Sequence, residues 1–127
     1  MPVRLGRLKQ RADFLRVAGT RRKTAVAGLV LQGAERPVTD KTAEADIGLG
    51  FTVTKKVGNA VIRNRAKRRL RAAAAEIMPR CAKPAHDYVL IGREGTLSRP
   101  WADLKSDLEL ALRRLDLWRS VDQETSP

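Results

Sequence analysis

Residues 47–77 read IGLGFTVTKKVGNAVIRNRAKRRLRAAAAEI, and the hydrophobic period changes from two to nearly four within this one stretch. From Ile47 to Thr54 the odd positions are Ile, Leu, Phe and Val, and the even positions are Gly, Gly, Thr and Thr. Strict alternation predicts a strand with one face on a core and one flat, hydroxyl-lined face. Beyond it, Ile62, Ala66, Leu70, Ala73 and Ile77 form one apolar stripe on a helix predicted from Asn59 to about Ile77. Gly58 lets the chain turn tightly into that helix, and Asn59 is placed to cap its first N–H groups. The Ala72–Ala75 run favours helix, and Pro79 is expected to end it.

Working outward, a short helix is predicted from Arg11 to Ala18, with Phe14, Leu15 and Ala18 turned inward and Gly19 as its stop. The apolar run Ala25–Leu31 reads as a strand, residues 33–45 as a loop, and Asp87–Arg93 as a buried strand. Ser98 and Pro100 start a last helix carrying Trp101, Leu104, Leu108, Leu112, Leu115 and Trp118 on one face, with both tryptophans in the core. The expected order is α-β-β-α-β-α in one α/β sandwich domain spanning residues 1–127. Residues 1–10 read as a flexible basic arm and 119–127 as a flexible tail.

Charge divides the chain. Residues 1–71 hold 18 basic and 5 acidic residues, whereas 72–127 hold 8 and 9. Between Lys55 and Arg71 there are eight basic residues and no acid. A solvated surface ordinarily mixes both signs, so a single-sign face of this density points to a polyanionic partner, and nucleic acid is the densest in a cell. Lys55, Lys56, Arg63, Arg65, Lys67, Arg68, Arg69 and Arg71 can pair with phosphates, and Asn64 can read base edges or ribose hydroxyls.

The run from Phe51 to Arg71, FTVTKKVGNAVIRNRAKRRLR, closely resembles the signature of the bacterial ribonuclease P protein subunit, a K-G-N-A-V-x-R-N-R-x-K-R type pattern. The helix around Phe14 and the LVLQ, IGLGFTVT and DYVLIGR strands fall in that family's order. The resemblance implies an α/β sandwich like the second domain of ribosomal protein S5, with a left-handed βαβ crossover. General stereochemistry alone would favour the right-handed form.

By the same resemblance the activity is endonucleolytic removal of the 5′ leader from precursor tRNA. A large catalytic RNA with bound Mg²⁺ performs the hydrolysis, and one protein per RNA assists. Arg63-Asn64-Arg65 and the residues C-terminal to them would contact the catalytic RNA, and Lys55, Lys56 and Asn59 belong to the wider set expected to bind RNA. A separate cleft, formed by Phe14, Ala18, Val30, Gln32, Thr52 and Thr54, would take the leader. Ala18 stands where the family often has a second aromatic. The family's strand aromatic corresponds to Gln32, or to Val30 in a shifted register. Phe14 itself reads equally as cleft or as core.

Nothing in the sequence supports catalysis by protein side chains. His86 is alone beside Asp87, Cys81 has no His partner at a familiar spacing, and no acid lies between Asp46 and Glu76. No catalytic residue and no protein metal site is therefore expected. A single cysteine excludes an internal disulfide and fits a reducing cytoplasm, and no apolar run approaches a bilayer span. The N-terminus has the Arg-rich, acid-poor composition of a transit peptide, but Phe14 and Leu15 read as part of a folded helix. Two other classes compete: a structural RNA-binding protein of ribosomal type, and a helix–turn–helix DNA-binding protein. The second lacks a partner helix ahead of the basic one, where a strand stands instead.

Overall fold

The computed structural model describes residues 4–36 and 46–119. Within them lie β1 (Leu5–Arg7), α1 (Arg11–Gly19), β2 (Lys23–Ala25), β3 (Leu29–Glu35), β4 (Ile47–Val53), α2 (Ala60–Cys81), β5 (His86–Gly92), α3 (Glu94–Ser98) and α4 (Trp101–Arg114). The five strands form one mixed sheet in the order β1-β4-β5-β3-β2. β4 runs parallel to both β1 and β5, while β3 is antiparallel to β5 and β2. α2 is the crossover that carries β4 to its parallel neighbour β5.

The period-two reading of β4 is borne out, and each of its faces meets a different layer. Ile47 and Leu49 join Leu29, Leu31, Leu70, Leu90, Leu104 and Leu108 in the main core beneath α2 and α4. The glycine face is not open along its length, because α1 packs on that side through Val17, Leu8, Val89 and Ala34. Among the described residues the sheet is therefore covered on both sides, and part of the second face beyond α1 is left as a cleft.

Several boundaries differ from the sequence expectation. The run Ala25–Leu31 is a hairpin rather than one strand: Ala25 pairs with Val30, and Val26 N–H donates to the Leu29 carbonyl at 2.9 Å. Gly28 breaks an apolar run that otherwise reads as continuous strand. Glycine permits such a turn where hydrophobicity alone does not mark it. Gly33, Ala34 and Glu35 extend β3 into the expected loop, whose residues 37–45 lie outside the described residues.

The basic arm is tied down in part. β1 pairs with β4 from Leu5↔Ile47 to Arg7↔Leu49, so this portion is a sheet edge. Asp46 anchors it by accepting from the Arg4 backbone N–H at 2.8 Å. That bond, assisted by the Arg4 guanidinium, holds the Asp46 carboxyl below its ordinary 3.8. A depressed folded value means the anchor is at full strength above pH ~4 and weakens as pH falls through the lower folded value. Amide exchange at Leu5–Arg7 should accelerate under such acid conditions while Leu29–Leu31 stays protected. Equal acceleration in both would remove Asp46 as the anchor.

Asn59 caps α2 as expected, its Oδ1 accepting from the Ile62 N–H at 3.0 Å. The helix runs past Pro79 to Cys81, because a proline in the last turn forfeits one bond without blocking the turn that follows. Arg119 closes that end: its backbone N–H donates to the Cys81 carbonyl at 2.6 Å, and its guanidinium donates to the Pro79 carbonyl at 2.8 Å. Arg119 is thus part of the fold, and residues 120–127 of the expected tail lie outside the described residues.

Ser98 ends α3 rather than starting the last helix, and α4 itself begins at Trp101. Trp118 lies beyond the end of α4 and pairs with Ala82 across an isolated bridge. Asp116, with φ of 58°, turns the chain there and takes Trp118 off the helical face. Both tryptophans are half-buried against the main core.

Candidate nucleic-acid interface

α2 is held to the sheet by Ala66, Leu70, Ala73, Ala74, Ile77 and Met78, all buried. A 3.6-residue period then forces the intervening cations outward. Asn64, Arg65, Arg68 and Arg71 are exposed, as are Lys55 and Lys56 in the turn before the helix. Arg63 and Lys67 are half-buried. Arg65, Lys67 and Arg68 make no ion pair or hydrogen bond through their side chains among the described residues. Asn59 is exposed and already engaged as the cap.

Arg69 does not belong to this outward set. Its guanidinium donates to the carbonyls of Thr96 at 2.9 Å, Leu97 at 2.7 Å and Arg99 at 2.8 Å. It also lies 5.7 Å from the Trp101 ring centroid. Those carbonyls end α3 and lead into α4, so Arg69 joins the helices instead of facing solvent. Its sequence neighbours Arg68 and Arg71 are chemically identical, and only the angular position decides between the roles.

On the other sheet face, residues far apart in sequence converge. The registers align Thr52, Ile91 and Val30 in one row across three strands, and Gly50, Val89 and Gln32 in the next. Val30 and Gln32 are two apart on one strand, so both point to the α1 side. The Phe14 ring lies directly over Gly50: a Cβ there would stand 2.5 Å from Phe14 Cε1. Phe14 is half-buried, forming one wall of the cleft while touching the smaller core cluster.

α1 is oriented differently from the sequence expectation. Leu15 is 60 % exposed and Ala18 is exposed, while Val17 is fully buried. The short helix contacts the sheet along one narrow line, which Val17 and Phe14 occupy three residues apart. Ala18 sits at the helix edge, and Thr54 is exposed just after β4. The sequence reading placed Gly50 on the flat face of its strand but missed Val89 and Ile91. The parity of β5 could have indicated the last two, and Gly48 with Gly50 on one face could have indicated close approach by another element.

Asp87 fixes α1 on the sheet. Buried at the start of β5, it pairs with Arg16 of α1 and with Arg36 just after β3, at 2.7 Å for Arg36. Arg16 also donates to the Glu35 carbonyl at 2.9 Å. The cleft wall that carries Phe14 is thus positioned by a carboxylate shared between two guanidiniums.

Replacing Gly50 with alanine should push the Phe14 ring out of its place, since the clash is with the movable end of that side chain and not with backbone. The expected result is a folded protein with a several-fold weaker grip on unpaired RNA. Unchanged binding would show that the Phe14 position does not matter to the cleft.

The reactive side chains are accounted for by the fold. Burial pushes the Cys81 thiol up, which makes it a poor nucleophile at neutral pH. His86 Nδ1 is within 2.8 Å of the Pro84 carbonyl, and Tyr88 OH donates to the Lys83 carbonyl at 2.8 Å. The Lys55–Arg71 segment presents an acid-free cationic face beside a flat, partly aromatic surface, the arrangement of an RNA-binding α/β sandwich.

Comparison with known proteins agrees. The family model Ribonuclease P matches residues 3–116. The ribonuclease P protein component of Paramagnetospirillum magneticum is 51 % identical over 127 residues, covering 100 % of this chain and 95 % of its own. That of Ruegeria pomeroyi is 50 % identical over 109 residues, covering 85 % and 84 %. A solved structure of the Staphylococcus aureus RNase P protein superposes with a TM-score of 0.70 at 26 % identity, covering 89 % of this chain and 97 % of that one. The chain belongs to the ribonuclease P protein family.

Proposed function

We propose that this chain is the RNA-binding protein subunit of a ribonuclease P holoenzyme, with the α2 face on the catalytic RNA and the Phe14–Thr52 cleft on the 5′ leader of precursor tRNA. The observation that carries this reading is the division of labour between the two faces. The cationic residues of α2 have no acidic neighbours on their own helix before Glu76, which is itself paired with Lys105 at 3.0 Å. Such a face neutralises phosphates and gains affinity through counterion release. The cleft, by contrast, offers Phe14, Ile91, Val30 and Thr52, a surface suited to unpaired bases and sugars. One aromatic ring makes stacking a smaller contribution here, and hydroxyl and phosphate contacts a larger one.

Hydrolysis is assigned to the RNA. The interface is lined by Lys and Arg, which repel divalent cations, so these residues do not fit a Mg²⁺ site and Mg²⁺ belongs on the RNA and the substrate. The protein supplies positioning and charge neutralisation. One protein per RNA and a cytoplasmic location complete the proposal; no helix among the described residues is long and apolar enough to cross a membrane.

Reconstitution tests it. The purified protein is combined with a bacterial ribonuclease P RNA and a precursor tRNA at low Mg²⁺, where cationic side chains can substitute for part of the divalent screening. Protein-dependent release of an intact leader is the expected result. Tight RNA binding with no cleavage under any Mg²⁺ concentration would favour a structural RNA-binding role and overturn the proposal.

A further inference from the structure

A second cleft opens on the opposite side of the sheet from Phe14. It has a volume of about 340 Å³ and is lined by Leu5, Arg7, Leu49, Phe51, Arg71 and Ala75. Leu49 and Phe51 are odd-numbered residues of β4 and so face α2, whereas the Phe14 cleft is built on the even-numbered ones. The space exists because β1 is short: Leu8 N–H makes the last bond to the Leu49 carbonyl, at 2.9 Å, and β4 runs on past it. Beyond that point, among the described residues, no strand lies between the edge of β4 and the flank of α2.

We propose that this cleft is a nucleotide-binding subsite, accepting one unstacked base of a bound RNA against Phe51 with its phosphate held by Arg7 and Arg71. The chemistry of the walls selects this occupant. Leu5, Leu49 and Ala75 make an apolar slot, and Phe51 adds a half-buried ring. The Arg71 guanidinium lies 5.7 Å from that ring centroid, which stations a cation at the rim beside an aromatic face. Arg7 is exposed, and among the described residues it makes no side-chain bond and no carboxylate lines the cleft. A neutral apolar ligand would leave both cations without a partner, and a free anion would leave the slot empty. A nucleoside monophosphate unit satisfies both, and the volume lies within the range of about 300–1,000 Å³ usual for small-ligand sites.

Position strengthens the assignment. A smaller cleft of about 140 Å³ shares Arg7, Leu49, Phe51 and Arg71, and reaches Phe14 and Gly50 around the end of β1. An RNA strand lying on α2 or in the Phe14 cleft therefore passes the mouth of this slot.

The inference rests on the RNA-binding reading above, and its test separates the two. The isotope-labelled full chain is titrated with adenosine 5′-monophosphate and, separately, with inorganic phosphate, and amide shifts are followed. The monophosphate should move Leu5, Gly6 and Ala75, and Phe51→Leu and Arg7→Gln should each weaken it about 5- to 30-fold. Arg7→Gln alters an exposed side chain, so its effect is free of any folding defect.

No shifts, shifts confined to the α1 side, or equal affinity for inorganic phosphate would each overturn the proposal. The same variants are then measured against catalytic RNA alone, precursor tRNA and leaderless tRNA. Loss with catalytic RNA assigns the base to that molecule. Loss with precursor but not leaderless tRNA assigns it to the leader, and no loss with any RNA overturns the subsite. If the unaltered protein binds none of these RNAs, the underlying reading fails instead.

Discussion

Replacing Arg65 and Arg68 together with alanine should lower affinity for ribonuclease P RNA by about 100-fold at moderate salt and leave thermal unfolding unchanged. Both side chains are exposed and neither makes a side-chain bond among the described residues, so the fold loses nothing with them. A charge-assisted hydrogen bond is worth about 1.5–3 kcal/mol, and the lower value for each of two contacts already gives that factor. The dependence of log affinity on log salt should flatten by between one and two units, because two fewer counterions are released. Arg69→Ala is the internal control with the opposite pattern. It breaks three bonds to carbonyls at the α3–α4 junction, so it should lower the melting temperature by several degrees. If Arg65 and Arg68 can be removed without loss of RNA affinity, the outward face of α2 is not the interface.

The largest effect on stability is expected at Asp87. Asp87→Ala removes the buried carboxylate that the Arg16 and Arg36 guanidiniums share. Removing one member of a buried ion pair costs about 3–5 kcal/mol, and the partial exposure of Arg16 argues for the lower end. For a chain of this size that is a fall in melting temperature of roughly 10 °C or more. The functional consequence should exceed what unfolding explains, because Asp87 also ties α1 to the sheet. At a temperature where the variant is still folded, affinity for a leader-bearing substrate should drop more than affinity for the leaderless one. Equal loss on both substrates would separate α1 from leader binding. An unchanged melting temperature would mean that desolvation of this triad cancels its attraction.

Both predictions concern features that differ in how far they could be read from the chain. The strand–turn–helix from Ile47 to Ile77 was legible because local forces determine it: alternation, a capping asparagine and an unbroken apolar stripe act over a few residues. The cationic face of α2 was legible for the same reason, since the helical period sets which side chains share a side. Which of those cations remain free was not legible. Arg69 and Arg68 are adjacent and identical, and only the approach of α3 some 27 residues later turns Arg69 into a structural link.

Long-range pairing decided the rest. β1 gave no sequence signal, because three residues with a central glycine become a strand only when the edge of β4 is there to receive them. The hairpin at Val26–Gly28 was hidden inside an apolar run, since burial on both sides of the turn removes the polar residues that usually mark one. The two sites differ in the same way. Lys55 to Arg71 form one continuous segment, and composition alone determines that this segment is a polycation in search of a polyanion. The Phe14 cleft and the Phe51 slot draw on β1, α1, β3, β4, α2 and β5. Their existence depends on sheet register and on where β1 ends, quantities that tertiary packing sets and that no local pattern encodes.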